Sequence, residues 1–259
     1  QRQMCIRDRS YYDKQRIKFM DTYVLVHGAW HNGELLEEVA DAIRDDGHKV
    51  YTPTLLGNKN GDLKTIGLSE AINSLTSFIQ EEEITSCILV GHSYGGMVIT
   101  GAFDKLGNEY IKRLVYCNAF VPNPGESLND MVPPNFVSLF DSIVKDDGSV
   151  MLPFPIWREA FINDASLDLA ESTYEKLNPH PYKTFTDSIE LSLSPSEMNV
   201  GKSYVVCQED TAMPASLPWH PRLSEKLGLY RLVTLAGSHE TCFTNPKLLG
   251  KKIIDAGRD

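Results

Sequence analysis

From Thr22 onward the chain repeats one pattern: a short, mostly apolar run, a glycine-bearing turn, then apolar positions at helical spacing. Thr22 to His27 (TYVLVH) reads as a strand. Leu35, Leu36, Val39, Ala40 and Ile43 follow on one helical face until Gly47 stops them. His48 to Tyr51 predicts a second strand, and Pro53 to Asp62 a loop rich in Gly and Asn. Leu68, Ile72, Leu75 and Ile79 mark the next helix, with Thr65 as its expected cap. Cys87 to Gly91 has no polar break and suits a strand buried on both faces. Met97, Val98 and Ile99 then open a helix, and Ile111 to Ala119 gives another strand. This βαβαβαβ order implies a mostly parallel sheet flanked by helices on both faces.

From Phe120 to about Val200 the alternation stops. Some 80 residues are far too many for an ordinary loop, so the segment is expected to have structure of its own. It holds nine prolines, and helical patches around Phe136 to Val144, Ala165 to Leu177 and Tyr182 to Leu191. An insertion leaving the carboxyl edge of a parallel sheet would cover the groove where ligands bind in such sheets, so 120–199 is read as a helical cap. Lys202 to Cys207 and Leu229 to Leu235 then supply the last two strands, with a helix at Leu223 to Leu227 and a closing one from Pro246 to Ala256. The core is therefore 20–119 plus 200–259.

Residues 1–19 lie outside the pattern. They carry six basic residues against two acidic ones in a chain whose net charge is -10. QRQMCIRDR resembles a translated sequencing-adapter read-through, so this stretch is expected to be a non-native or disordered tail and Met20 the natural start.

The acidic balance argues against a nucleic-acid surface. No apolar run approaches the ~18 residues of a membrane span, so no membrane partner and a cytoplasmic location are expected. Five dispersed cysteines without a C-x-x-C read as reduced core thiols, which leaves no disulfide framework and no metal site to expect. A homodimer is left open.

The candidate chemistry centres on Gly91-His92-Ser93-Tyr94-Gly95-Gly96. A strand that reverses into a helix around one residue strains that residue's backbone, and flanking glycines leave room for the close approach. Ser93 is thus expected to stand exposed above the sheet, near a helix amino terminus that favours developing negative charge. An acyl-transfer site also needs a base, an orienting carboxylate and oxyanion donors. His239 follows the last strand and Asp210 the one before it. The order Ser, Asp, His places all three at the carboxyl ends of strands, on one edge of the sheet. Glu209 is adjacent and equally charged, so the choice between it and Asp210 stays open, with Asp210 favoured by its distance from the strand. The backbone N–H groups of Ala29 and Tyr94 are the candidate oxyanion donors, with His27 expected to hold the oxyanion loop. Gly28, Trp30, Phe120 and Trp157, together with the Tyr94 ring, are candidates to line the pocket. His31, His48, His180 and His220 have no evident partner.

HGAWHNG, GHSYGG, VCQED and GSHE, in this order and spacing, resemble the α/β-hydrolase fold. More narrowly, they resemble the branch of plant-type methylesterases, hydroxynitrile lyases and their bacterial esterase homologues. The resemblance runs from Asp21 to the end and implies a carboxylesterase acting on small esters without a cofactor. Lyases of this branch carry a threonine after the first-strand histidine and a lysine after the catalytic one. Gly28 and Glu240 stand there, which removes a cyanide-stabilising cation and favours hydrolysis. The expected function is a serine carboxylesterase working through an acyl-enzyme, with a lyase or lactonase on the same site, or a non-catalytic small-molecule receptor, as alternatives.

Overall fold

In the computed structural model, which describes residues 20–259, the strand signals assemble around one parallel sheet. The expected tail, 1–19, lies outside the described residues. In chain order the strands are β1 (Thr22–Val26), β2 (Lys49–Tyr51), β3 (Cys87–His92), β4 (Ile111–Cys117), β5 (Ser149–Val150), β6 (His180–Pro181), β7 (Gly201–Cys207) and β8 (Arg231–Leu235). Six of them form the sheet in the order β2-β1-β3-β4-β7-β8, every pair parallel, while β5 and β6 pair antiparallel by themselves. The chain runs from β1 out to β2 and then crosses to β3 on the other side of β1. The order reverses there, which opens a crevice at the carboxyl ends of β1 and β3. The Gly28 loop and the Ser93 turn both leave from that point.

The period-two alternation of the strands divides the core into two layers. Tyr23, Leu25, Ile88, Val90, Val115, Cys117, Val205 and Cys207 face the helices Glu37–Arg44 and Pro246–Gly257. Val24, Val26, Cys87, Leu89, Leu114, Tyr116 and Tyr204 face the helices Leu68–Glu81 and Gly95–Leu106 in a larger apolar cluster that continues into the inserted segment.

That insertion, between β4 and β7, caps the crevice as expected, but its elements are shorter and more varied. Helices span Pro134–Ile143 and Leu167–Tyr174, a π-helical turn spans Trp157–Phe161, and only Lys183–Thr186 of the expected Tyr182 to Leu191 helix is helical. At Asp187 the backbone turns extended, and its carboxylate accepts from the Leu68 N–H at 3.0 Å. The Leu68–Glu81 helix therefore starts at Gly67 and not at Thr65: Glu70 accepts from the Gly67 N–H at 2.7 Å, and a carboxylate 119 residues away caps the next donor. Leu223 to Leu227 forms a single 3-10 turn, Ser224–Leu227. Among the described residues no helix is long and apolar enough to cross a membrane.

Candidate active site

Ser93 sits between β3 and the helix Gly95–Leu106 with φ +52°, in the left-handed region that costs a non-glycine residue of order 1–3 kcal/mol. Its surroundings enforce that geometry. The Ser93 carbonyl accepts from the N–H groups of Gly96 (3.0 Å) and Phe120 (3.1 Å), and its own N–H donates to Cys117 (3.3 Å). A Cβ at position 95 would stand 2.7 Å from the Val26 carbonyl oxygen, and one at 96 would collide with the Phe120 carbonyl. Only glycine lets the turn pack this closely. The serine is 8% exposed rather than open above the sheet, because the cap closes over it.

His239 and Asp210 arrive on the loops after β8 and β7. The His239 Nδ1–H donates to Asp210 Oδ2 at 2.6 Å, in a pair whose side chains are 1% exposed. Between the two acids the sequence left open, it is Asp210 that meets the imidazole; Glu209 is exposed. Asp210 is itself fixed by the Asn118 side-chain amide and by the Ala212 N–H at 2.8 Å. Asn118 ends the earlier strand and also accepts from the Cys207 N–H at 2.9 Å, so the amide there serves to orient the acid. Burial disfavours a charged His239, but the Asp210 carboxylate and its hydrogen bond, with Glu240 beyond, outweigh it and raise the imidazole's pKa above its ordinary value. Nε2 has no partner among the described residues, and His239 and Ser93 border the same cavity.

Four successive carbonyls of the loop after β1 are held by other groups. Gly28 accepts from His27 Nδ1 (2.8 Å), Ala29 from His31 Nδ1 (2.7 Å), Trp30 from the Asn178 N–H (2.6 Å) and His31 from Asn58 Nδ2 (3.0 Å). His27 Nε2 in turn accepts from the Leu55 N–H at 3.1 Å, so this ring is neutral, and burial lowers its pKa to about 4. Among the described residues the backbone N–H groups of Ala29 and Tyr94 make no hydrogen bond, and both residues line the cavity. The loop rests directly on the Ser93 turn: a Cβ at position 28 would be 3.0 Å from His92 Nδ1 and 3.1 Å from Ser93 Cβ.

The cavity is narrow, about 40 Å³, and its wall is almost wholly apolar: Trp30, Phe120, Phe136, Phe140, Phe161, Phe185, Met213 and Trp219 surround Ser93 and His239. Of the residues expected to line it, Trp30, Tyr94 and Phe120 do. Gly28 does not line it and packs against His92 and Ser93, and Trp157 is fully buried in the cap, its Nε1–H donating to Ala170 at 3.0 Å. Trp219, which the sequence reading passed over, stacks on the His239 ring at 5.2 Å between centroids and 14° between planes. It falls in the proline-rich stretch 214–221, which has no periodicity to signal a core position. Phe161 meets the same imidazole edge-on at 5.2 Å. A larger open groove of about 590 Å³ runs between the helices Leu68–Glu81 and Gly95–Leu106 and the 187–192 segment, but no histidine or cysteine reaches it.

The histidines that lacked partners in the sequence acquire them here. His31 Nε2 meets Glu240 at 2.9 Å, His180 bonds Asn58 and Thr184, His220 bonds Ser224, and His48 accepts from the Asp21 N–H. Donor atoms of His31, Glu240 and Cys242, and those of His92, His239 and Glu240, lie within 4.8 Å of one another. His31 and Cys242 each bond Glu240, the thiol donating to Oε2 at 3.5 Å, so the carboxylate of the first group is already engaged.

A parallel sheet with a strained serine at its switch point, and an imidazole–carboxylate pair bordering the same cavity, is the architecture of the α/β-hydrolase fold. Residues 23–249 match the alpha/beta hydrolase family, and the chain belongs to it. It is 32% identical to an extracellular alpha/beta-hydrolase from a Paenibacillus species that shares structural and functional homology with tobacco salicylic acid binding protein 2. That match has a TM-score of 0.89 and covers 92% of this chain and 100% of the other. It is 45% identical to a carbendazim hydrolyzing esterase of Nocardioides sp. (strain SG-4G) over 117 residues, 44% of this chain and 48% of that protein, so the likeness spans about half the length of that relative. It is also 25% identical to methylesterase 8 of Arabidopsis thaliana over 250 residues, 90% of this chain and 88% of that one. The resemblance to plant methylesterases and bacterial esterases is borne out, as is the capped parallel fold.

Proposed function

We propose that the protein is a serine carboxylesterase that cleaves small uncharged esters through an acyl-enzyme. The observation that carries this reading is the His239–Asp210 pair bordering the cavity of a strained Ser93, with two unpaired backbone N–H groups on the same wall. Ser93 Oγ attacks the ester carbonyl carbon as its proton passes to His239 Nε2. The carbonyl π electrons move onto oxygen, and the oxyanion receives hydrogen bonds from the Ala29 and Tyr94 N–H groups. Collapse breaks the bond to the alkoxy group, which leaves with the proton from His239. Water then repeats the sequence: His239 takes its proton, the hydroxide adds to the acyl carbon, and Ser93 leaves with the proton returned. Asp210 keeps Nδ1 protonated throughout and stabilises the imidazolium.

An aromatic, apolar wall selects against charged acyl groups, whose burial unpaired is costly. A volume of about 40 Å³ is far below the roughly 300 Å³ of ordinary ligand sites, so the phenylalanines of the cap must rotate or part to admit substrate. A hydroxynitrile lyase reading draws no support from the site, since the residue after His239 is a buried carboxylate turned to His31. The test is hydrolysis of p-nitrophenyl acetate, with carbendazim and aromatic methyl esters as panel members, and mass detection of an acyl adduct. Turnover and an adduct on Ser93 in the wild type, both absent in Ser93→Ala, are expected. Equal turnover by the two proteins would overturn the reading.

A further inference from the structure

Glu240 directly follows the proposed base, is 1% exposed, and takes no part in the proposed reaction. Its Oε2 is 2.9 Å from His31 Nε2, and His31 Nδ1 is 2.7 Å from the Ala29 carbonyl oxygen. The Ala29 carbonyl oxygen can only accept, so Nδ1 of His31 carries hydrogen, and one further proton lies between His31 Nε2 and Glu240 Oε2. The buried carboxyl is held below its ordinary pKa by His31, which puts that proton on Nε2 and makes the pair an imidazolium and its counter-ion.

The neighbouring rings do not share that state. His92 Nε2–H donates to the His239 carbonyl at 3.0 Å, its Nδ1 has no partner, and burial, with His239 adding to it, lowers its pKa to about 3. His180 Nδ1 faces the donating Asn58 amide and Trp30 N–H, so that ring is neutral as well. Around Glu240 stand His31 from the loop after β1, His92 from the end of β3, Cys207 from the end of β7, and His239 and Cys242 from its own segment. Burial alone would raise the Glu240 pKa, but the charge and hydrogen bond of His31 prevail and lower it to about 2.

We propose that Glu240 and His31 form a second carboxylate–imidazolium pair that holds the Ala29 carbonyl, next to the Ala29 N–H of the oxyanion loop, while placing a fixed negative charge beside His239. One side chain thereby links the two halves of the site: the donors that receive the oxyanion, and the base whose imidazolium forms at the same moment. Glu240 and His31 are positioning residues, and their catalytic consequence rests on the esterase reading given above. The Cys242 thiol at 3.5 Å and the stacked Phe243 ring, 5.7 Å from His31, close the pair off from water.

The test has an arm that needs no turnover. In the intact wild-type protein, two-dimensional ¹⁵N–¹H spectra of the histidine rings at pH 7.5 report each protonation state. His31 is expected to be doubly protonated while His27, His92 and His180 are neutral, and a neutral His31 overturns the proposal whether or not the protein hydrolyses esters. The second arm is Glu240→Gln, which keeps the shape and removes the charge. Its kcat is expected to fall about 10-fold with KM little changed, less than the ~100-fold or more for losing an oxyanion donor outright. The acid limb of its kcat/KM profile is expected to move to lower pH, because the negative charge that favours the His239 imidazolium is gone. A lower kcat with an unmoved acid limb assigns Glu240 a packing role alone and overturns the proposal. If Glu240→Gln does not fold, the wild-type spectra decide.

Discussion

Among the described residues, two imidazole–carboxylate pairs with both partners buried lie side by side, His239–Asp210 and His31–Glu240, at 2.6 and 2.9 Å. They differ in what the second ring nitrogen meets. In His239, Nε2 is left without a partner at a cavity shared with Ser93; in His31, the remaining nitrogen is bound to a backbone carbonyl. An imidazole with one open nitrogen is free to gain and lose a proton there, and one with both nitrogens engaged is not. On the proposed reading, similar burial and similar chemistry thus serve a base in one case and a clamp in the other, and the difference is one hydrogen-bond partner.

The largest effect is expected at Ser93. Ser93→Ala is expected to lower kcat for p-nitrophenyl acetate by about 10⁶-fold with the fold intact by circular dichroism, since residues acting as one unit lose almost everything together. Asp210→Asn comes next, at about 10⁴-fold, because an amide can hold the ring in the wrong tautomer. Steady-state kinetics together with a wild-type unfolding temperature separate this from misfolding.

Stability should show the opposite ranking. His31→Leu leaves the Glu240 carboxylate buried and uncompensated, and is expected to cost about 3–5 kcal/mol in denaturant unfolding, whereas Ser93→Ala relieves nothing buried and charged. The pH dependence follows by sign. Glu240 has a pKa lowered from 4.5 to about 2, so its contribution is present above 4.5 and is lost as pH falls toward 2. His31 has a raised pKa, so its contribution is full below 6.5 and is lost as pH rises through the folded value. The unfolding midpoint of the wild type is expected to drop on the acid side of pH 4.5 more steeply than that of His31→Leu.

The smallest effect is sought at the face of the base. Trp219→Leu removes the indole stacked on His239 and is expected to lower kcat/KM by about 2- to 5-fold, in line with the ~0.5–1 kcal/mol of a cation–π contact at the imidazolium stage. Its acid limb should move to lower pH, in the same direction as for Glu240→Gln, which checks that both groups act on the same proton.

Local pattern alone announced the sheet, the Ser93 turn and the late-strand positions of Asp210 and His239, because each is written in a contiguous stretch. An unbroken apolar run such as Cys87 to Gly91 can only be buried, and Gly95 and Gly96 stand where backbone carbonyls of Val26 and Phe120 leave no room for a Cβ. The cap resisted the same reading. Asp187 caps a helix 119 residues earlier, Trp157 turns into the cap and away from the cavity, and Trp219 reaches His239 from a stretch without periodicity. Nor could any spacing reveal that Glu240 faces His31 across 209 residues, or that Asp210 and not Glu209 meets the base. Covalent order fixes which residues leave which strand end, since strand direction and alternation are local. Which side chains then touch depends on how separate loops fold over one crevice, and that is decided only when the whole chain packs.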